Sequence, residues 1–297
     1  MGRRAPLAAF VLLLVSTTIA LAAGKKIVFS PKPGTTVPYT FEVRIAGQAQ
    51  AAMAQGQSMD LTSTYHGKFV DKVEDANQRG ERLLSRTFSE VFAKEGPPDG
   101  DGEEKDILST LASASFQYVR DARARLLAID DKPVSELSLM ELLDVQHQSM
   151  NPVLLCHIFA PVVPYPTAEV SPGMQWEAGP DLQILKDIKS VEAPTTLQEV
   201  KTIDGIEFAI ITSKLSLTID TPLALQGAPQ GTPALNLKAQ IKGDLKQWSS
   251  TANGLVARTE LEGEMIAGLG PANGQPLFVI KVDKLAAIVM YDKEAQQ

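Results

Sequence analysis

Apolar and polar side chains alternate with a period of two along most of this chain, the pattern of strands with one face covered and the other wet. Tyr39, Phe41, Val43 and Ile45 alternate with Thr40, Glu42 and Arg44, after an extended lead-in over 24–38. Residues 46–56, AGQAQAAMAQG, read as a small-residue linker or wide loop, or as a short helix on alanine propensity. Met59 to Val73 resumes as a long strand bent at Gly67, followed by a turn near Asn77–Gly80 and a return strand from Leu83 to Phe92. Residues 108–129 fit a bent strand pair, although RDARARLLAI also suits a helix.

The pattern changes at SELSLMELLDVQHQ. Leu137, Met140, Leu142, Leu143 and Val145 share a helical face, Ser135 or Ser138 can cap it, and Asn151-Pro152 interrupts it. A covering helix is expected over 137–148. Alternation then returns. Asp204-Gly205 sits between two alternating runs, a strong two-residue hairpin signal because both residues tolerate positive φ. Leu235, Leu237, Ala239 and Ile241 form the most regular run, Gly243 allows a bend or bulge, and Asn253-Gly254 marks a second hairpin turn before Leu255–Met265. The last strand, Pro276–Tyr291, breaks phase once around Lys284.

Between the two β-rich stretches lies NPVLLCHIFAPVVPYPTAEVSPGMQW, residues 151–176. Its first third is densely apolar, and prolines 161, 164, 166 and 172 oppose both helix and central strand. It reads as a Pro-rich crossover with its apolar part buried against the preceding helix and Trp176 opening the next strand. The fold class is therefore mainly β: two halves of long, twisted antiparallel strands with one short covering helix (α+β). The divisions are 1–23, 24–150, 151–176 and 177–297. The halves share a plan, each with a central glycine (Gly67, Gly243), and either duplication or independent antiparallel sheets would produce it.

Composition narrows the setting. Arg3 and Arg4 precede an apolar run of about 17 residues from Leu7 to Ala23 that ends in small residues, so 1–23 read as a cleaved signal peptide of an exported protein, periplasmic or extracellular, with an uncleaved N-terminal anchor as the alternative. A net charge of −7 disfavours nucleic acid as partner. The single cysteine, Cys156, excludes an intramolecular disulfide and reads as a small buried hydrophobe.

Candidate chemistry is sparse. The acidic tip 95–106 places Asp99, Asp101 and Glu103 like calcium-loop ligands, but Glu104 stands where the loop needs glycine and Thr110 where it needs glutamate. The three histidines, His66, His147 and His157, lack zinc spacing, and adjacency does not make Cys156-His157 a dyad. Asp60, Asp71, Glu74, Asp204 and Glu207 could pair across strands as glycosidase carboxylates do. No catalytic, cofactor or metal residue is assigned. Trp176, Trp248 and Tyr65 are the ligand-cleft candidates.

Pro172-Gly173-Met174-Gln175-Trp176, together with the signal, resembles a feature of secreted bacterial β-rich proteins of unknown function. The layout is also loosely similar to the half-barrel carriers of lipids and lipoproteins in the bacterial envelope. That resemblance implies a non-enzymatic exported protein whose partner is a lipid, a lipoprotein or an envelope protein, with peripheral or no membrane contact once the signal is removed. A carboxylate-pair hydrolase and a structural surface protein are the alternatives.

Overall fold

In the computed structural model the described residues are 24–51, 58–96, 102–111, 113–138, 143–144, 149–150, 161–182, 185–223, 235–271 and 274–292. The chain is mainly β. In order it forms β1 (Thr36–Ala51), β2 (Ser58–Ala76), β3 (Arg82–Glu95), β4 (Glu104–Asp106), β5 (Ser115–Arg120), β6 (Leu126–Ile129) and β7 (Lys132–Pro133). Then come β8 (Leu143–Asp144), β9 (Ser149–Met150), β10 (Gln175–Glu177), the four-residue helix α1 (Gly179–Leu182) and β11 (Ile188–Glu192). The long strands of the second half are β12 (Pro194–Ile203), β13 (Ile206–Leu223), β14 (Leu235–Ser250), β15 (Val256–Pro271) and β16 (Phe278–Tyr291).

All but β8 and β9 belong to one antiparallel sheet, ordered β10-β12-β13-β14-β15-β16-β1-β2-β3-β5-β6-β7, with β11 beside β13 and β4 beside β3. The two β-rich halves are thus a single sheet. Its central seam is the pairing of the first long strand with the last, from Tyr39 opposite Tyr291 to Ala51 opposite Phe278. β11 and β12 line the same side of β13 in sequence, because Ala193-Pro194 breaks what would be one strand.

Local chemistry explains the joints. Asp204 and Gly205 take φ of 51° and 78°, the two left-handed positions of a hairpin whose twist matches its strands. The phase break near Lys284 is a β-bulge: Ala46 faces Lys284 but Gly47 faces Val282, which leaves Asp283 unpaired with β1. β1 therefore runs on through Gly47 to Ala51, where a linker was expected from Ala46. Gly47 is what lets it pass the bulge, since a Cβ there would collide with the Lys281 carbonyl oxygen.

The expected helix over 137–148 is corrected. Leu137 and Ser138 are coil, and Leu143–Asp144 pairs antiparallel with Ser149–Met150. The helical period there is short and its Leu and Val content also suits a strand. Among the described residues the one α-helix is α1. His147, Cys156, His157 and the apolar first third of the crossover lie outside the described residues, as do residues 1–23.

The covered face carries a continuous core. Val37, Tyr39, Phe41, Val43 and Ile45 of β1 are buried with Phe69, Leu84 and Phe88 on one side and Ile211, Leu217, Leu245 and Leu261 on the other. Tyr39, Phe41, Phe69, Phe88, Phe116 and Tyr118 form a chain of ring contacts with centroids 5.2–6.3 Å apart. Each such pair adds about 0.5–1.5 kcal/mol beyond its area.

The Pro-rich segment is not a surface linker. Val163 and Tyr165 are fully buried and the segment threads the covered face as a strap. Its missing donors are at Pro161, Pro164 and Pro166, so few polar groups need partners inside, and those of Val163 and Tyr165 find them. The Val163 N–H donates to Gln247 Oε1 at 2.7 Å, and Gln247 Nε2 donates to the Val163 carbonyl at 3.3 Å. The Tyr165 hydroxyl donates to the Gly254 carbonyl at 2.7 Å, and the Tyr165 carbonyl accepts from Arg123 Nε at 2.7 Å. The strap therefore ties β14 and its hairpin to the β5–β6 turn. The N-terminal lead-in closes the same end: Phe29 N–H donates to Ala122 and Ser30 N–H to Asn253.

Candidate functional site

Three places on the molecule combine polar or apolar groups in a way that alternation alone does not require. The first is the strapped end, where charge is buried. Asp71, in phase with Phe69 and Val73, points into the core; Arg86 and Arg120 do the same beside Leu84 and Tyr118. Arg86 grips Asp71 through both oxygens, each at 2.7 Å, and the Tyr118 hydroxyl donates to Asp71 Oδ2 at 2.8 Å. The Arg86 guanidinium also lies 3.9 Å from the centroid of the Phe69 ring.

Arg120 is only 6% exposed, and its Nη1 donates to the carbonyl of Ala124, a buried residue held at a φ of 63°. Burial pulls the Arg120 pKa below its ordinary value, with Arg86 adding to the fall and Tyr118 and Asp71 opposing it. Burial likewise raises Tyr39 well above its usual value, and raises Tyr118, with the Asp71 charge adding to both. A small cavity of about 50 Å³ lies among these groups, walled by Phe29, Val37, Leu84, Leu255 and Val289. It has room for a few waters, far below the roughly 300–1,000 Å³ of a typical ligand pocket. Side chains thus nearly fill this end.

The second place is the opposite end of the same face. Met59, Ala49, Ile280, Ala267 and Ala239 form one cross-strand row over β2, β1, β16, β15 and β14. Ala51, Phe278, Leu269 and Leu237 form the next. Paired residues share a face, so both rows continue the core. Yet Met59 is 66% and Phe278 42% exposed, while Leu61, Leu237, Leu269 and Ile280 are half-buried. Positions 38 and 50 of β1 are about 40 Å apart at strand rise, so the two ends are distinct.

The third is a groove of about 590 Å³ lined by Gln175, Thr196, Gln198, Thr212, Lys214, Asp244, Lys246, Glu260 and Glu262. Asp244 and Glu262 stand directly opposite one another on β14 and β15. Lys214 opposite Asp244 and Lys246 opposite Glu260 balance that like-charge pair. Among the described residues no aromatic side chain lines the groove, so they offer no stacking platform for a sugar.

The residues singled out in sequence fall elsewhere. Trp176 is half-buried in β10 and its Nε1 donates to the Pro164 carbonyl at 3.2 Å, so it braces the strap. Trp248 is half-buried between Lys246 and Arg258, 4.8 and 5.2 Å from its ring. Tyr65 is half-buried against the core, its pKa raised by burial. None of the three lines the cavity or the groove, and they do not meet. Nor do the five carboxylates: Asp71 binds Arg86, Glu74 binds Lys72 and Ser85, Glu207 binds Lys25 and Thr251, Asp60 accepts from Gln48, and Asp204 is in its turn. Sequence reasoning passed over Arg86, Arg120 and Gln247. The signal that finds them is phase, since each occupies the apolar position of its strand.

No family model matches the chain, and no curated protein matches it. Among solved structures, DynF from the dynemicin biosynthesis pathway of Micromonospora chersina is 8% identical over 93% of this chain and 90% of its own, with a TM-score of 0.23. The β domain of the Bordetella autotransporter BrkA is 11% identical over 86% and 98%, with a TM-score of 0.25. OmpF of Salmonella typhi, in complex with daunomycin, is 7% identical over 87% and 98%, with a TM-score of 0.22. Likenesses at these values carry no functional inference.

Proposed function

We propose that the protein is an exported, non-enzymatic binding protein of the bacterial envelope that takes an acyl chain, from a lipid or a lipoprotein, on the apolar face at the Met59–Phe278 end. The observation that carries this reading is the pair of cross-strand rows. The covered face stays apolar to the strand tips, yet there Met59 and Phe278 are open to solvent. Apolar surface left open at the end of a core costs about 25 cal/mol per Å² relative to covering it, and a contiguous patch of this kind marks a contact surface. The strapped end does not serve as the cleft, because its cavity is too small for a chain.

The test is native mass spectrometry and lipid extraction on protein purified from its exported compartment. Acyl species should accompany the wild type and be lost from a Met59→Asp, Phe278→Asp double variant that keeps the wild-type circular dichroism spectrum. Ligand-free wild-type protein that also fails to displace a fluorescent fatty acid overturns the reading.

A further inference from the structure

At the strapped end the charges do not balance. Asp71 answers Arg86, while Asp121 and Asp181 answer Arg123 and Arg125: Arg125 Nε donates to Asp121 at 2.6 Å, and Asp181 accepts from both Arg123 and Arg125. Arg120 is left over. Among the described residues its guanidinium donates to the Ala124 carbonyl and has no carboxylate partner, although it is 6% exposed. A neutral carbonyl dipole does not compensate a full charge held away from water. The same side chain borders the cavity of about 50 Å³ on one side and a smaller recess with Leu126, Pro161, Val162 and Asp181 on the other. Arg86 and Arg120 face this space against one carboxylate, Asp71, so its lining carries one net positive charge, and that defines what the space accepts: one negative charge, few atoms, no chain.

We propose that Arg120 holds a small monovalent anion of halide or carboxylate size in the cavity beneath the strap. The anion supplies the missing charge, and the Arg120 guanidinium supplies its donors. The site is separate from the acyl-binding face, about 40 Å away along β1, and each can fail without the other. A chain longer than acetate has no room, so the source of the charge is a free ion rather than a lipid head.

The test measures thermal unfolding of the full chain at low ionic strength while chloride, formate, acetate, sulfate or laurate is added. Chloride, formate and acetate should raise Tm saturably by about 3–5 °C, the size expected when one ligand binds only the native state. Sulfate, doubly charged and larger, should give less. Arg120→Met should abolish the rise and remain folded, since it replaces a buried charge with no ion-pair partner among the described residues by an apolar side chain of similar length. Val162→Phe keeps Arg120 but fills the space and should abolish the rise as well. An equal rise in both variants, or none in the wild type with any anion, overturns the proposal. A laurate effect stronger than that of acetate and lost in Arg120→Met overturns the free-ion source and assigns the site to a fatty-acid head.

Discussion

Gln247 is the side chain on which the strap depends, and replacing it by leucine isolates that dependence. Leucine keeps nearly the same volume and the apolar phase of β14, between Leu245 and Ser249, so packing changes little. What goes is the pair of hydrogen bonds to Val163, one donated by its N–H at 2.7 Å and one accepted by its carbonyl at 3.3 Å, plus the bond to Ser249 Oγ at 2.8 Å. Both Val163 groups would then be buried without partners, since Val163 and Gln247 are fully buried. An orphaned buried backbone group costs about 1–3 kcal/mol, so Gln247→Leu, which orphans two, should cost about 2–6 kcal/mol, or roughly 5–20 °C in Tm for a domain of this size. Urea unfolding measures it, with Gln198→Leu as control. Gln198 makes one exposed bond to Thr212, and its loss should fall within about 0.5 kcal/mol of wild type. The local readout is Trp176, whose Nε1 bonds the Pro164 carbonyl on the strap, so its emission should shift to the red in Gln247→Leu before global unfolding. A midpoint within about 0.5 kcal/mol of wild type and unchanged Trp176 emission would refute the idea that this residue holds the strap.

Asp71→Ala leaves Arg86 buried without its ion-pair partner and should destabilise by about 3–5 kcal/mol in the same urea assay, whereas the solvent-exposed pair Lys68–Glu90 should contribute little. In alkali, the Tyr165 pKa, pushed up to about 12 by burial, makes the native state hold a proton that the unfolded chain loses near 10. That stability is complete below pH 10 and is lost between pH 10 and 12, about 2–3 kcal/mol from this group, with Tyr39 and Tyr118 acting in the same direction. Phenolate absorbance should therefore rise together with unfolding rather than before it. In acid, the Glu207 carboxyl is held below its usual range by Lys25 and then Thr251, so the clasp between lead-in and hairpin is present above about pH 4 and released as pH falls through the lowered value. Amide exchange at Ser30 should accelerate there first. Gly254→Ala meets the Val28 carbonyl at 2.5 Å in a left-handed turn and should cost more than Gly205→Ala, which has positive φ but open space and should cost about 1 kcal/mol.

Strand identity, facing and turns were legible in the residues themselves. The alternation of Tyr39, Phe41, Val43 and Ile45 named the buried face of β1, Asp204-Gly205 named the hairpin between β12 and β13, and the phase slip at Lys284 named the place of the bulge in β16. Trp176 does lie in the first strand after the crossover, which begins one residue earlier at Gln175. These are local signals, because side-chain period and turn dihedrals depend on a few neighbouring residues.

Tertiary structure alone decided the rest. Period two says which face of a strand is covered but not which strand lies beside it, so the seam between β1 and β16, the first long strand and the last, had no local mark. The same limit hid the continuation of β1 past Gly47, where a partner strand's bulge turns a linker-like sequence into ladder, and the change from helix to strand pair near Leu143. The crossover was visible as apolar and proline-rich, but its course through the core depends on partners far away in sequence, Gln247, Arg123 and the Gly254 carbonyl. Charge shows the division most clearly. Asp71, Arg86 and Arg120 each betrayed themselves by standing in apolar phase, yet only the packed sheet shows that Asp71 answers Arg86 and that Arg120 is left over, because pairing is a property of distance between strands and not of order along the chain.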